Sequence, residues 1–233
     1  MIIAQKTPDA RLSKFWYDIL GRLVVSQNSK QKTTSRYSYT LYDGIGRITE
    51  VGQKPQSTDP DSRSVTNLAT WLAANGYNKE QLTRTRYDLS YDNGNDILAP
   101  MLIQKNLRNR VSYTMVYDIE PDPNVATVTH TAATFYTYDI HGNVDILLQD
   151  LRAAMLAVSP GNNRYKMLAY QYDLISGKVN KVSYQPGMAD EFYHKYAYDA
   201  ENRLTEVYTS QDNLNWEKDA RYVSNRLSTY WLD

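Results

Sequence analysis

The chain has 233 residues, 26 Lys+Arg against 26 Asp+Glu, 21 tyrosines and no cysteine. The missing cysteine excludes disulfides, thiolate metal sites and a cysteine nucleophile. The zero net charge removes any overall attraction to nucleic acid or an anionic membrane. With 42% hydrophobic residues the chain can bury a substantial core, and with only 3 Phe and 4 Trp nearly every ring in it carries a hydroxyl.

Residues 1–10 read as an N-terminal extension. Met1 to Lys6 is too short an apolar run for a signal peptide, and no window approaches 18 consecutive apolar residues, so no membrane span is expected. From residue 11 to 222 a repeat takes over. Tyr17-Asp18-Ile19-Leu20-Gly21-Arg22-Leu23 aligns with Tyr42-Asp43-Gly44-Ile45-Gly46-Arg47-Ile48. An insertion follows over 61–76: Asp61 or Ser64 can cap a helix, Val65, Leu68, Ala69 and Leu72 share a face, and Gly76 can close it. One short helix is expected near 62–75, outside the sheet. Further on, Asp92-Asn93-Gly94-Asn95-Asp96 superficially suggests a calcium loop but reads better as a turn. Lys105, Arg108 and Arg110 read as a solvated strand face. Residues 119–131 and 150–163 read as loops, with a helical turn or two open over 151–158.

The frame returns at Tyr138-Asp139-Ile140-His141-Gly142-Asn143-Val144. At Tyr172-Asp173-Leu174-Ile175-Ser176-Gly177-Lys178-Val179 it is one residue longer. At Tyr198-Asp199-Ala200-Glu201-Asn202-Arg203-Leu204 it has Asn in place of Gly. Eight tyrosines directly precede Asp, at 17, 42, 87, 91, 117, 138, 172 and 198, whereas random mixing would give about 1.7 such pairs. Residues 223–233 form an atypical C-terminal tail.

A hairpin explains this order of residues. Asp at the first turn position accepts backbone N–H bonds from residues further on. Gly supplies positive φ at little cost, and Asn is the next best residue there. An aliphatic residue then opens the return strand. Before the turns, Tyr113-Met115-Tyr117, Leu168-Tyr170-Tyr172 and Phe192-His194-Tyr196-Tyr198 alternate as strands do, which predicts one tyrosine-rich sheet face. The fold class expected is all-β: antiparallel hairpin repeats in an open, curved strip.

The frame resembles the YD repeat of the RHS family, whose relatives by repeat include the B and C components of bacterial Tc toxins and the animal teneurins. The resemblance spans roughly residues 11–220. It implies a β-strip winding into a hollow shell around a toxic polypeptide, or a support for cell-surface recognition, in a secreted or cell-surface protein. Family shells use more repeats than are present here. They end in an Asp-Pro-x-Gly core segment that is absent, since Asp59-Pro60 is followed by Asp61. A fragment lacking the core and toxin is therefore expected.

Catalytic and metal candidates are thin. His130, His141 and His194 lack metal-ligand spacing, and each frame Asp is accounted for by its own turn. No catalytic, metal or cofactor residue is expected. The residues singled out are the turn residues: Tyr17, Asp18, Gly21 and Arg22; Tyr42, Asp43, Gly46 and Arg47; Tyr138, Asp139 and Gly142; Tyr172, Asp173 and Gly177; Tyr198, Asp199, Asn202 and Arg203. The function expected is a non-enzymatic shell segment, with flanking RHS repeats or a toxin cargo polypeptide as partner. The alternative is a surface module gripping a glycan or a protein through its tyrosines.

Overall fold

The computed structural model describes residues 1–8, 11–91, 101–124, 130–151 and 164–222. The loop Asp92–Asp96, residues 152–158 and the tail 223–233 lie outside the described residues. Fourteen strands are described: β1 (Ala4–Thr7), β2 (Arg11–Tyr17), β3 (Leu23–Gln27), β4 (Arg36–Tyr42), β5 (Ile48–Pro55), β6 (Glu80–Tyr87), β7 (Val111–Ile119), β8 (Ala132–Tyr138), β9 (Val144–Leu151), β10 (Tyr165–Tyr172), β11 (Val179–Tyr184), β12 (Phe192–Tyr198), β13 (Leu204–Ser210) and β14 (Glu217–Arg221). They join one open sheet in chain order. Two short helices, α1 (Ser29–Thr33) and α2 (Val65–Ala73), interrupt them.

The all-β class follows from the hairpins, and register follows from their turns. Tyr17 lies opposite Leu23, Tyr42 opposite Ile48, Tyr87 opposite Val111, Tyr172 opposite Val179 and Tyr198 opposite Leu204. Each of these tyrosines follows a one-residue register shift, the bulge created when a left-handed residue ends the loop. Among the described residues, one Tyr-Asp pair departs from the pattern. Tyr117-Asp118 marks no turn: it lies inside β7, which runs on to Ile119. The pair lacks a Gly or Asn four places on, so nothing reverses the chain there.

The described residues fall into two compact units. Unit 1 comprises Met1–Tyr91, Leu107–Phe135 and Asp150–Arg164; unit 2 comprises Asp92–Asn106, Tyr136–Gln149 and Tyr165–Asp233. In unit 1 the Ser64 side chain caps α2 by accepting from the N–H of Asn67, and the helix lays Leu68, Trp71 and Leu72 on Val25, Tyr37 and Tyr39. Burying each of those large helix side chains contributes roughly 1.5–3 kcal/mol. Tyr37 meets both Trp16 (5.7 Å) and Trp71 (5.2 Å) edge-on, and the indole N–H of Trp71 donates to the carbonyl of Thr58.

α1 is an addition to the single helix expected. Its five residues bury nothing, but Asn28 and Gln31 form a reciprocal capping box. A polar stretch this short has no apolar period, so only the cap betrays it.

In unit 2 the rings stack along their own strands instead. Tyr170 lies on Tyr172 (6.3 Å), His194 on Tyr196 (6.4 Å) and Tyr136 on Tyr138 (6.4 Å). The expectation of a single tyrosine-rich face therefore fails. Tyr39 pairs with Val25 and Gly52 under α2, three places before Tyr42, whereas Tyr196 stands two places before Tyr198 and so on the opposite face of its strand.

Candidate functional site

The recurring feature of the molecule is its turn. The N–H of Asp18 donates to the carbonyl of Arg22 (3.0 Å), and the N–H of Gly21 to the carbonyl of Asp18 (3.1 Å). Asp18 Oδ1 accepts the N–H groups of Leu20 and Arg22 (2.9 Å each), and Oδ2 accepts Arg22 Nε at 2.7 Å. Asp43 repeats this with Ile45, Arg47 and Arg47 Nε. Asp199 repeats it with Glu201, Arg203 and Arg203 Nε, and Asp139 with His141 and Asn143, the Asn143 amide replacing the guanidinium. In the longer loop, Asp173 takes the N–H groups of Ile175 and Ser176. Gly21, Gly46, Gly142, Gly177 and Asn202 all have positive φ, from 62° to 95°.

These bonds set the charge state of the turn. The Arg47 guanidinium bond comes first in holding the Asp43 carboxyl below the usual carboxylate range, and the Arg203 backbone N–H does so for Asp199. The bond that the Arg47 guanidinium donates to Asp88, followed by the one it donates to Asp43, raises Arg47.

Successive turns are also tied to each other. The hydroxyl of Tyr42 donates to the carbonyl of Leu23, Tyr87 to Ile48, Tyr172 to Val144 and Tyr198 to Val179, at 2.8–2.9 Å. In every case the acceptor is the first residue of the return strand in the preceding hairpin. Tyr17 makes the same bond to the carbonyl of Ile2. The arginine contributes from the other side. Arg22 lies over the Tyr42 ring at 4.6 Å and Arg47 over the Tyr87 ring at 4.2 Å, while Arg47 also reaches Asp88 at 2.7 Å. A phenol supplies both the ring for the cation and the donor for the carbonyl, which phenylalanine could not.

Tyr87-Asp88 hides a further frame. The N–H of Asp88 donates to the carbonyl of Arg110 (3.2 Å), its carboxylate accepts the N–H of Asn109 (2.6 Å), and Val111 opens the return strand. Asn109 has φ 59°. Asn109-Arg110-Val111 is thus the second half of a turn split by residues 89–108. This corrects the reading of Lys105, Arg108 and Arg110 as a strand face: none of them is in a strand. The insertion separates the halves too widely for a frame search to join them.

Sequence reasoning also missed two buried charge clusters in unit 1. Glu50 accepts the Tyr39 hydroxyl (2.7 Å), Lys79 Nζ (3.0 Å) and Arg84 Nε (2.7 Å), and Glu120 pairs with the same Lys79 at 3.0 Å. Burial alone would raise the Glu50 carboxyl, but the Tyr39, Arg84 and Lys79 interactions outweigh it and hold it low. Burial, then the charge of Glu50, pushes the Tyr39 hydroxyl far up. Beside this cluster a cleft of about 510 Å³ lies between α2 and the loop after it, lined by Leu41, Leu68, Leu72, Tyr77, Lys79 and Glu120 among others.

In the second cluster, Asp150 takes a bidentate Arg164 (2.6 Å to each oxygen) and His130 Nε2 at 2.8 Å. Burial raises the Asp150 carboxyl, yet the Arg164 and His130 bonds bring it down to about 2. His141 stands at a turn tip, and His194 meets Phe192 edge-on and stacks on Tyr196. Among the described residues no group of three His, Asp or Glu is placed to hold a metal ion, and no helix is long and apolar enough to cross a membrane.

No protein-family model matches the sequence, and none of the curated proteins does. Among solved structures, the chain is similar to TcdB2-TccC3 at 12% identity over 93% of this chain, with a TM-score of 0.56. A weaker likeness is to the Photorhabdus luminescens Tc holotoxin pore, at 14% identity over 89% of this chain, with a TM-score of 0.44. The chain spans 9% of the length of either. At 12% identity, what the chain shares with TcdB2-TccC3 is its fold.

Proposed function

We propose that the chain is a non-enzymatic wall segment of an RHS-type, YD-repeat shell that encloses or presents a toxin polypeptide, with flanking repeats and that polypeptide as its partners. The turn-to-turn tie carries this reading. The hydroxyls of Tyr42, Tyr87, Tyr172 and Tyr198 are each spent on the hairpin before, so a repeat of this kind is built to be followed by another. Such a chain gains stability from neighbours of its own kind. The fold shared with TcdB2-TccC3 supports the reading. So does the commitment of the carboxylates of Asp18, Asp43, Asp139 and Asp199 to their own turns.

The glycan-binding alternative is disfavoured by the same bonds, because Tyr17, Tyr42, Tyr87, Tyr172 and Tyr198 offer a ligand no spare hydroxyl proton. The test is thermal unfolding of the chain alone and of the chain fused to two further Tyr-Asp hairpins after β14. The wall reading expects a higher and sharper transition in the fusion. An unchanged transition would overturn it, and glycan-array binding that is lost on tyrosine substitution would favour the recognition module.

A further inference from the structure

The cleft beside α2 has walls of two kinds. Leu41, Val65, Leu68, Ala69, Leu72 and Tyr77 make most of it apolar, and its charged wall residues are Lys79 and Glu120. Its volume of about 510 Å³ falls within the ~300–1,000 Å³ usual for small-molecule sites. The Glu120 side chain is only 8% exposed. Its backbone N–H donates to the carbonyl of Lys79 (2.8 Å), which fixes the two residues side by side. One Glu120 oxygen takes Lys79 Nζ at 3.0 Å; the other accepts only the Lys79 backbone N–H, at a long 3.4 Å. Lys79 Nζ meets Glu50 and Glu120 at 3.0 Å each, and beyond them has the Tyr39 ring at 5.6 Å. An ammonium has three protons to give. Among the described residues, Glu120 thus keeps one acceptor unspent and Lys79 one donor.

The charges around this pair decide what can use those two positions. Glu50 and Glu120 are balanced by Lys79 and Arg84. Lys54, behind the wall, is fully buried and turned to the carbonyl of Gly76 and to Asn78 Oδ1, and burial favours its uncharged form. A charged head group brought into the cleft would lose its water without gaining a counter-ion. A hydroxyl is donor and acceptor at once, so it can give to Glu120 and take from Lys79. We infer that the cleft binds a small uncharged molecule with an apolar body and one hydroxyl head, the body against α2 and the head between Lys79 and Glu120.

The test is isothermal titration calorimetry of the full chain with 1-octanol, octanoate and octylammonium, which share a tail and differ in the head. Octanol is expected to bind with a dissociation constant of about 0.1–1 mM, and the two ions about tenfold or more weakly. Ala69→Trp adds bulk at an exposed place on the cleft wall, so it should abolish octanol binding and leave the thermal transition in place. Glu120→Gln keeps the shape but leaves the cations in excess, so octanoate should then bind more tightly than octanol. Circular dichroism verifies that both variants fold. The reversal of preference separates a built head-group site from a cleft that is merely apolar.

Absence of octanol binding to the native chain, equal binding of the three probes, or binding untouched by Ala69→Trp would overturn the inference. Tighter binding of octanoate than octanol to the native chain would overturn it in favour of an anion drawn by Lys54. The inference goes beyond the wall reading, and none of these outcomes depends on whether added hairpins shift the thermal transition, so the two proposals can fail separately.

Discussion

One, three and five places before Tyr42 stand Leu41, Tyr39 and Tyr37, and α2 covers that face of unit 1. Two and four places before stand Thr40 and Ser38. Before Tyr198 in unit 2 the rings change sides: Tyr196, His194 and Phe192 hold the even places, and Ala197, Lys195 and Tyr193 the odd ones. Lys195 is exposed and lies over Trp216. The turns at Asp43 and Asp199 are nonetheless bonded alike, down to the 2.7 Å guanidinium contact. Register is therefore set at the turn, and the choice of packed face is made separately by whatever covers the strands. In unit 1 a helix does so; in unit 2 the rings stack on each other.

The largest expected difference between the units comes from deleting a ring on each packed face. Trp71→Ala should cost unit 1 about 3–5 kcal/mol by emptying space between α2 and Tyr37, while Tyr196→Ala in half-buried unit 2 should cost well under half of that. Chemical denaturation of both variants measures it, and equal costs would mean the open face is as well packed as the covered one.

Acid should also find unit 1 first. The Asp150 carboxyl sits at about 2, below its ordinary 3.8. Its contribution is therefore complete above the unfolded value and is lost as pH falls from about 4 toward 2. Asp150→Asn should flatten the acid limb of the stability curve there, and an unchanged limb would show that the Arg164 pair is not formed in solution.

Gly46→Val should cost about 1–3 kcal/mol, because a β-branched residue is forced to positive φ. Gly177→Val should cost a similar amount, since φ is 68° there against 91° at Gly46. A large disparity in urea midpoints would mean that the turns are not equivalent across the two units. The smallest effect is expected from Tyr42→Phe and Tyr172→Phe. Each removes one hydroxyl bond to the preceding hairpin and should cost about 0.5–1.5 kcal/mol.

The hairpins and α2 are legible in the sequence because their causes are local. Asp, Gly and an aliphatic residue sit within seven positions, and Ser64 precedes an apolar period. Tyr117-Asp118 shows the limit of a two-residue signal, since without the glycine the same pair stays in a strand. The charge clusters are illegible for a different reason. Glu50 meets Arg84 directly across the β5–β6 pairing but 34 positions away in sequence, and Asp150 meets His130 from 20 positions away, too far for a local pattern to join them. No residue near Glu50 in sequence announces its partners. The side of the strand on which rings pack is hidden as well, because the bulge before each turn tyrosine shifts the alternation by one.

The split turn at Asp88 has a consequence for how such a chain can grow. Residues 89–108 enter and leave between two halves of one hydrogen-bonded frame, and β6 and β7 pair as closely as any uninterrupted hairpin. Lengthening a loop whose ends are already pinned is cheap, about 0.6 kcal/mol for each doubling. Any frame turn is thus a port into which foreign sequence could be spliced without cutting the sheet, and the architecture can acquire new parts at its margin while its strands stay unchanged.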